Sequence, residues 1–405
     1  MASDNKSILK YSVFLLIPFI CFLLLCEFMA SVYLRSRIEN FDLEVQGNTT
    51  YVESGYQLWQ HPSNYTSWSG KTHLNNLGFK RFDDTSIIKG EGVIRIFILG
   101  GSTAFGSQAA PGTIFLKLSG QDEYSSALTI SAYMEKLLQE KYPQHKFEVI
   151  NAATAWSQLH QQMIFYLRMI RSLQPDLIIS IDGQNDSHEI EDRFLNMWEW
   201  TEDKADKIWN NPKSRLRPLF RNSNLAYLMA MILFRQGDSI EADTNLIKRY
   251  TRFERPDNYD EIITRYNIEN RVKIDTSVDE YLYNLKQFDN VLREDGVKHL
   301  QLLQPQTVMD NTKILTEGEK AVQGYMFSRL DKQYFRINFF REVERRGNIL
   351  RKENGIAFWS LQNMFENERN DVYTDYCHLT PLGNRLVAQK IISKIELIFP
   401  ELLHN

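Results

Sequence analysis

The stretch that most constrains the fold is Val93–Gly106, which reads VIRIFILGGSTAFG. Its first half is a mostly apolar run rich in β-branched residues, which is typical of a strand buried on both faces of a parallel sheet. The run stops at Gly100 and Gly101, where the backbone can turn sharply, and Ser102 follows directly. Open α/β sheets carry their chemistry at the carboxyl ends of their strands, so Ser102 is a candidate nucleophile.

Two nucleotide-binding interpretations of this turn fail on the residues present. No lysine lies between Gly100 and Gly106, which excludes a phosphate-binding loop, and the glycines do not have the G-x-G-x-x-G spacing of a dinucleotide site. An ordinary strand-to-helix turn remains as the alternative to a nucleophilic serine. The choice depends on whether a base and oxyanion donors occur elsewhere in the chain.

Two further stretches supply such partners. The segment Asp176–Asp186, DLIISIDGQND, is an apolar strand that ends in polar residues. Near the C-terminus, Asp375 lies three residues before His378, on the loop that enters the last predicted helix. There the carboxylate can hold one imidazole nitrogen while the other faces Ser102. Without the serine turn, a capping aspartate beside a surface histidine is the simpler interpretation.

These three stretches, in this order, resemble blocks of the SGNH, or GDSL-like, hydrolase superfamily. GGS at 100–102 resembles the first block, GQND at 183–186 the third, and D-x-x-H at 375–378 the fifth. The resemblance covers roughly residue 93 to the C-terminus, interrupted by a large insertion. It implies a serine hydrolase.

The resemblance also implies a role for each candidate residue. Ser102 would attack an ester carbonyl, His378 would take and return the proton, and Asp375 would orient the histidine. The Ser102 N–H and the Asn185 side-chain amide would hold the oxyanion, although an asparagine there can also simply hold its turn. The glycine of the family's second block, whose N–H is a further oxyanion donor, falls near Trp156, a departure from the family's pattern.

The remaining pattern predicts an α/β fold. Strands alternate with helices from residue 93 onward, which predicts a three-layer α/β/α sandwich with a doubly wound parallel sheet of about five strands. We expect an insertion at about 187–279 and helices at Tyr281–Glu294 and Arg329–Asn354. Within the insertion, Asn224–Arg235 is an apolar helical run that we expect to pack on the main domain. A substrate groove or the membrane surface are its alternative partners.

The N-terminus carries a candidate membrane segment at Tyr11–Leu34. It reaches the required length of about 20 residues only if Glu27 lies near the far interface. A cleaved signal peptide is the alternative, but a small-x-small cleavage site is missing. We therefore expect a short cytoplasmic tail at 1–10, an uncleaved signal anchor at 11–34, a membrane-proximal lead-in at 35–92 and the hydrolase domain at 93–405. The layout of anchored relatives implies a bacterial inner membrane, with the catalytic domain facing the periplasm or the exterior.

Composition narrows the function further. The net charge of −4, without a basic block, gives no reason to expect a nucleic-acid partner. The three cysteines and the scattered histidines have no metal-ligand spacing, so no metal or cofactor is expected. The leading hypothesis is an esterase that removes O-acyl groups, above all acetyl groups, from extracellular polysaccharide. Transfer of the acyl group to a sugar acceptor and an inactive scaffold of a surface-polymer system are the alternatives; no protein partner is indicated.

Overall fold

A computed structural model describes the chain in nine segments. They are residues 2–37, 52–54, 58–66, 72–107, 113–116, 125–187, 223–233, 240–310 and 312–404, so much of the predicted insertion lies outside them. The chain divides into two compact units. The first contains Met1–Tyr51 and Asp203–Gln236, and the second contains Val52–Glu202 and Gly237–Asn405.

The central sheet of the second unit has five strands, each parallel to its neighbours. In chain order they are β1 Val93–Gly100, β2 Lys146–Asn151, β3 Leu177–Asp182, β4 Lys298–Leu303 and β5 Phe358–Ser360. Across the sheet the order is β5-β4-β3-β1-β2. The winding direction reverses between β1 and β3, which is where sheets of this kind place their functional crevice. This arrangement confirms the predicted doubly wound α/β fold.

Helices account for most of the remaining described residues. They are α1 Ala2–Arg37, α2 Ser102–Phe105, α3 Ile130–Lys141, α4 Leu159–Arg168, α5 Asn224–Leu233, α6 Thr244–Tyr250, α7 Tyr259–Glu269, α8 Arg271–Glu294, α9 Glu317–Phe327, α10 Tyr334–Asn354, α11 Pro381–Ile398 and α12 Glu401–His404. Three short 3₁₀ turns cover Ser126–Leu128, Ile170–Leu173 and Leu330–Lys332. Three pairs of short strands lie outside the central sheet: Val52–Ser54 with Leu58–Gln60, Tyr65–Thr66 with His73–Leu74, and Ile114–Phe115 with Ile240–Glu241.

Side chains of β1 alternate between two apolar cores, as the pleat of a strand requires. Ile96 and Ile98 belong to one core, together with buried residues of α3 and α11. Phe97 and Leu99 belong to the other, together with buried residues of α4, α8 and α10. The sheet therefore lies between two helical layers, as the three-layer prediction states.

Three element boundaries differ from the sequence-based expectation. Helix α8 begins at Arg271 rather than Tyr281, because Ile274 and Val278 recur four residues apart and bury its first turns. Helix α10 begins at Tyr334, since the residues just before it form a separate 3₁₀ turn. The apolar run Ile356–Leu361 predicts the last strand, but β5 covers only Phe358–Ser360, and it is an edge strand that pairs on one side only.

The first unit contains α1 and α5. Within α1, Leu16–Tyr33 is long and apolar enough to cross a membrane, by length and composition; a signal sequence near an N-terminus has the same properties. Helix α5 lies alongside α1 within this unit, whereas the sequence favoured packing of this run on the main domain. A ten-residue apolar helix can pack equally well on either partner, so its sequence alone did not identify α1.

Candidate active site

The candidate nucleophile lies on a turn that begins with two closely packed glycines. Gly100 ends β1 with φ +144°, and a Cβ there would lie 2.1 Å from the carbonyl oxygen of Ile181 on β3. A Cβ on Gly101 would lie 2.3 Å from Asn185 Nδ2. Glycine is therefore needed at position 100 for the close approach of two strands, and a side chain at position 101 would displace the Asn185 amide.

Residues far apart in the chain meet at this turn. The Ser102 Oγ lies 2.7 Å from His378 Nε2, and His378 Nδ1 lies 2.9 Å from Asp375 Oδ2. His378 and Asp375 are buried, while Ser102 is partly exposed. If Nδ1 donates its proton to the carboxylate, Nε2 is left to accept the proton of the serine hydroxyl. These distances are those of a nucleophile, a base and an orienting carboxylate.

The loop that carries Asp375 also holds its carboxylate in place. Asp375 Oδ1 accepts hydrogen bonds from the backbone N–H groups of Cys377 at 2.9 Å and His378 at 2.8 Å. Burial acts to raise the pKa of Asp375, but the charge of His378 and these hydrogen bonds outweigh it, so the pKa lies below its usual value. The carboxylate is thus ionised at neutral pH and fixed toward the imidazole.

Burial and the Asp375 carboxylate also shift the pKa of the His378 imidazole. Burial acts to lower the pKa of His378, but the Asp375 carboxylate more than compensates and holds the pKa well above the ordinary value. An imidazolium formed when Ser102 loses its proton is therefore stabilised where it forms. Cys377 is the neighbouring thiol, with Sγ 3.6 Å from His378 Nδ1, and burial raises its pKa. A thiol kept neutral is a poor nucleophile, so Ser102 is the better candidate nucleophile of this cluster.

Asp375, Cys377 and His378 also bring three potential metal-ligating atoms within 4.8 Å of one another. The hydrogen bond between His378 Nδ1 and the Asp375 carboxylate already uses two of these groups. The cluster is therefore accounted for by the interaction of base and carboxylate.

Asn185 lies beside the nucleophile turn and also holds its own loop. Its Nδ2 donates to the backbone carbonyl of Ser157 at 2.9 Å, and its backbone carbonyl accepts a hydrogen bond from Gln158 Nε2 at 3.2 Å. An amide carries two N–H donors, so one can anchor the side chain while the other serves a substrate. The geometry is compatible with both roles expected from the sequence.

We predict that Asn185→Ala lowers kcat by about 10²–10³ and leaves KM nearly unchanged, because an oxyanion donor acts mainly in the transition state. Steady-state kinetics on a soluble aryl acetate, with a thermal melt of each variant, provide the measurement. The matched control is Gln158→Ala, which removes a support of the loop but keeps the Asn185 amide, and should affect Tm more than kcat. An Asn185→Ala enzyme with unchanged kcat and a lowered Tm would assign Asn185 a structural role only.

Trp156 has a backbone conformation that glycine adopts more readily than other residues. Its φ is +69°, and it is the third residue of a turn in which the Ser157 N–H donates to the Thr154 carbonyl at 3.0 Å. A positive φ at this turn position is the conformation for which glycine is preferred. The resemblance expects a glycine at this place, so the backbone keeps the glycine-like conformation although the side chain differs. The buried Trp59 supports the same loop, with Nε1 3.1 Å from the Ala155 carbonyl.

Sequence reasoning missed Thr103, the residue after the nucleophile. Its buried hydroxyl donates to the carbonyl of Cys377 at 3.2 Å and accepts a hydrogen bond from Gln304 Nε2 at 3.1 Å. Thr103 therefore joins the helix that carries Ser102 to the loop that carries His378.

A series of glutamines extends this connection across the carboxyl ends of the strands. Gln362 Nε2 donates to the Gln304 carbonyl at 2.6 Å, and Gln362 Oε1 accepts from the Gln306 N–H at 3.2 Å. Gln306 Nε2 in turn donates to Gln184 Oε1 at 2.8 Å, next to Asn185. Each of these glutamines follows the end of β3, β4 or β5 by one to three residues, which is the signal that could have identified them.

Lys80 precedes β1 in the chain and packs against α2, the short helix that begins at Ser102. It is fully buried, with Nζ 4.3 Å from the centre of the Phe105 ring and 3.4 Å from the Gly106 carbonyl. Burial lowers its pKa to about 7. His61 stacks on the same ring, with centroids 4.5 Å apart, so the lead-in supports α2 from behind.

Comparisons of sequence with known proteins give no family for this chain. No family model and no curated protein sequence matches it. Solved structures that align include Axe2, an acetylxylan esterase from Geobacillus stearothermophilus, with 13% identity, a TM-score of 0.36 and coverage of 75% of this chain and 94% of that one. The acetyl xylan esterase AlAXEase aligns with 13% identity, a TM-score of 0.36 and coverage of 75% and 100%.

A third is LAE5, an α/β hydrolase enzyme from the metagenome of Lake Arreo, Spain, with 10% identity, a TM-score of 0.35 and coverage of 75% and 96%. At these TM-scores the likenesses carry no argument about this chain. The fold assignment therefore depends on the sheet topology, and any functional assignment on the geometry at Ser102.

Proposed function

We propose that this chain is a membrane-anchored serine esterase of the SGNH type, which removes O-acyl groups from extracellular polysaccharide. The observation that carries the proposal is the alignment of Ser102 Oγ, His378 Nε2 and the Asp375 carboxylate, at 2.7 and 2.9 Å, where the strands of the sheet end. A capping aspartate beside a surface histidine, the structural alternative, does not account for a buried imidazole directed at a serine hydroxyl.

The proposed reaction has two halves. Ser102 Oγ attacks the ester carbonyl carbon while His378 takes the hydroxyl proton, and the oxyanion is held by the Ser102 N–H and the Asn185 amide. The C–O bond to the sugar then breaks, and the sugar oxygen leaves with the proton from His378. Water attacks the acyl-serine, again through His378, and releases the carboxylic acid and free Ser102.

The substrate class rests on the resemblance to the SGNH superfamily. Anchored relatives with this layout imply acetylated extracellular carbohydrate, and acetyl is the acyl group we propose first. An O-acyltransferase with the same three residues is the alternative, since it differs only in admitting a sugar hydroxyl in place of water. The presence of all three residues in hydrogen-bonding positions argues against an inactive scaffold.

A product assay on the full-length protein in detergent tests the proposal. The protein is incubated with acetylated xylan and p-nitrophenyl acetate, with and without a sugar acceptor, and acetate and acetylated sugars are measured. We expect acetate release that the acceptor does not suppress. Acetylated acceptor formed at the expense of acetate would favour the transferase, and the absence of both products would contradict the esterase and the transferase alike.

The anchor is part of the same proposal. The Leu16–Tyr33 segment supports a single membrane span. We place the second unit outside the cytoplasm by analogy with the layout of anchored relatives in the superfamily that this chain resembles. Most large apolar side chains of this segment are exposed, among them Phe22 at 60% and Phe28 at 65%, and a soluble protein rarely exposes a contiguous apolar surface of this kind. A hydrocarbon environment accounts for it.

A further inference from the structure

The carboxylate of Glu27 lies within the apolar segment of α1, where a charged group needs a partner. It has one in helix α5. Glu27 Oε2 accepts a hydrogen bond from Ser223 Oγ at 2.7 Å and another from the Leu225 N–H at 3.0 Å, and Glu27 Oε1 accepts one from the Asn224 N–H. The charge is thus placed at the positive end of the α5 dipole, where an anion is stabilised.

These contacts pair three backbone N–H groups at the start of α5. The Asn224 and Leu225 N–H groups bind Glu27, and the Ala226 N–H donates to Ser223 Oγ at 3.1 Å. The first N–H groups of a helix have no partner within the helix and in water can simply be hydrated. In hydrocarbon each must be satisfied by protein. Helix α5 therefore begins with three of these groups bound to protein atoms, as a nonpolar environment favours.

The covered face of α1 is the one that carries Glu27. Cys26, Glu27, Ala30 and Ser31 are the covered side chains, and they recur at helical spacing, while the other faces of Leu16–Tyr33 are exposed. Three of these four residues are small or uncharged polar residues, which allow two helices to approach closely in a bilayer.

The length of α5 and the absence of charge within it limit how the helix can lie in a bilayer. It has ten residues, none of them charged, and is therefore about 15 Å long. This is half of the ~30 Å that a membrane span requires. Glu27 lies six residues before Tyr33, so α5 starts about 9 Å inside the end of the apolar segment. Arg221 and Arg235 flank the run in the sequence. The uncharged stretch between them has 13 residues, or about 20 Å of helix, which is too short to cross the bilayer.

We propose that α5 is a second membrane-embedded segment, which inserts into the lipid leaflet that holds the C-terminal part of α1 and is locked there by Glu27. Its partner is the hydrocarbon of the bilayer, and Met229, 54% exposed, is the described side chain that would meet lipid. The insertion would thereby tie the chain to the membrane surface at two points. This inference rests on the proposed anchor and is independent of the esterase chemistry.

Depth-dependent quenching on the full-length protein in phosphatidylcholine vesicles tests the inference. Cys21 and Cys26 are replaced by serine, and Met229→Cys is labelled with bimane; Cys377 is buried and stays. The matched control is Ile88→Cys in the second unit, where Ile88 is 77% exposed. We expect lipids with a nitroxide at acyl carbon 5 to quench position 229 at least threefold more than position 88, and aqueous iodide to show the reverse preference.

A second variant pair tests the role of Glu27. Glu27→Leu removes the acceptors for the start of α5 and should raise iodide quenching at position 229 severalfold, whereas Glu27→Gln keeps an acceptor oxygen and should change it less. Equal iodide quenching at positions 229 and 88 in the parent background would overturn the inference. Release of the protein by carbonate would instead contradict the anchor, and absence of ester turnover would contradict only the proposed function.

Discussion

Replacement of Ser102 by alanine is expected to lower kcat by about 10⁴–10⁶ and to abolish labelling by a fluorophosphonate probe. In the proposed mechanism Oγ forms the acyl-enzyme, and without it only the oxyanion donors and substrate binding remain to accelerate attack by water. The measurement is ester turnover together with a mass-spectrometric map of the probe adduct, which we expect once per chain, on Ser102.

The matched control for this experiment is Ser157→Ala. Ser157 supports Asn185 through its backbone carbonyl, which alanine retains, so labelling and turnover should stay within a few fold of the parent. Probe on a different serine, with Ser102→Ala as active as the parent, would remove Ser102 from the mechanism.

Replacement of Asp375 by asparagine is expected to lower kcat/KM by about 10⁴, because an amide can hold the imidazole in the wrong tautomer and cannot stabilise its charged form. The size of the loss separates a catalytic carboxylate from a residue that merely caps its loop. Cys377→Ser is the control: it keeps the backbone N–H that binds Asp375 and should cost far less activity.

The pH dependence of kcat/KM provides a second test of Asp375, because the direction of its shift can be predicted. The proposed reaction needs neutral His378, and Asp375 raises the pKa of that imidazole well above its ordinary value. The acid limb of kcat/KM in the parent should therefore lie above about pH 6.5, with activity lost as the pH falls through it. Loss of the carboxylate charge in Asp375→Asn should move the limb of the residual activity to lower pH. A limb that stays in place would mean that Asp375 does not act on His378.

The same pKa shifts predict how this pair contributes to stability. The raised pKa of His378 contributes stability that is fully present below the unfolded-state value and is lost as the pH rises through the folded one. The lowered pKa of Asp375 contributes stability present above its unfolded-state value and lost as the pH falls through the folded one. The pair therefore stabilises the fold most in the mildly acidic range between the two unfolded-state values.

The fold class and the candidate triad could be predicted from the sequence because the relevant patterns are local. An apolar β-branched run ending in Gly100-Gly101-Ser102 encodes a buried strand and its turn within a few residues. The spacing of Asp375 and His378 is equally local, since three residues of one loop suffice to join a carboxylate to an imidazole. Strands separated by helices then leave few topologies open, and the observed sheet is one of them.

The features that only the tertiary structure decided join residues far apart in the chain. The Thr103 hydroxyl meets the carbonyl of Cys377, and the Glu27 carboxylate meets the start of α5. No periodicity or spacing encodes such pairs, because a hydroxyl or a carboxylate can bind many partners and only the packing of whole elements selects one. For the same reason the sequence identified Glu27 as an interruption of an apolar segment, whereas the folded chain makes it the cap of a second helix.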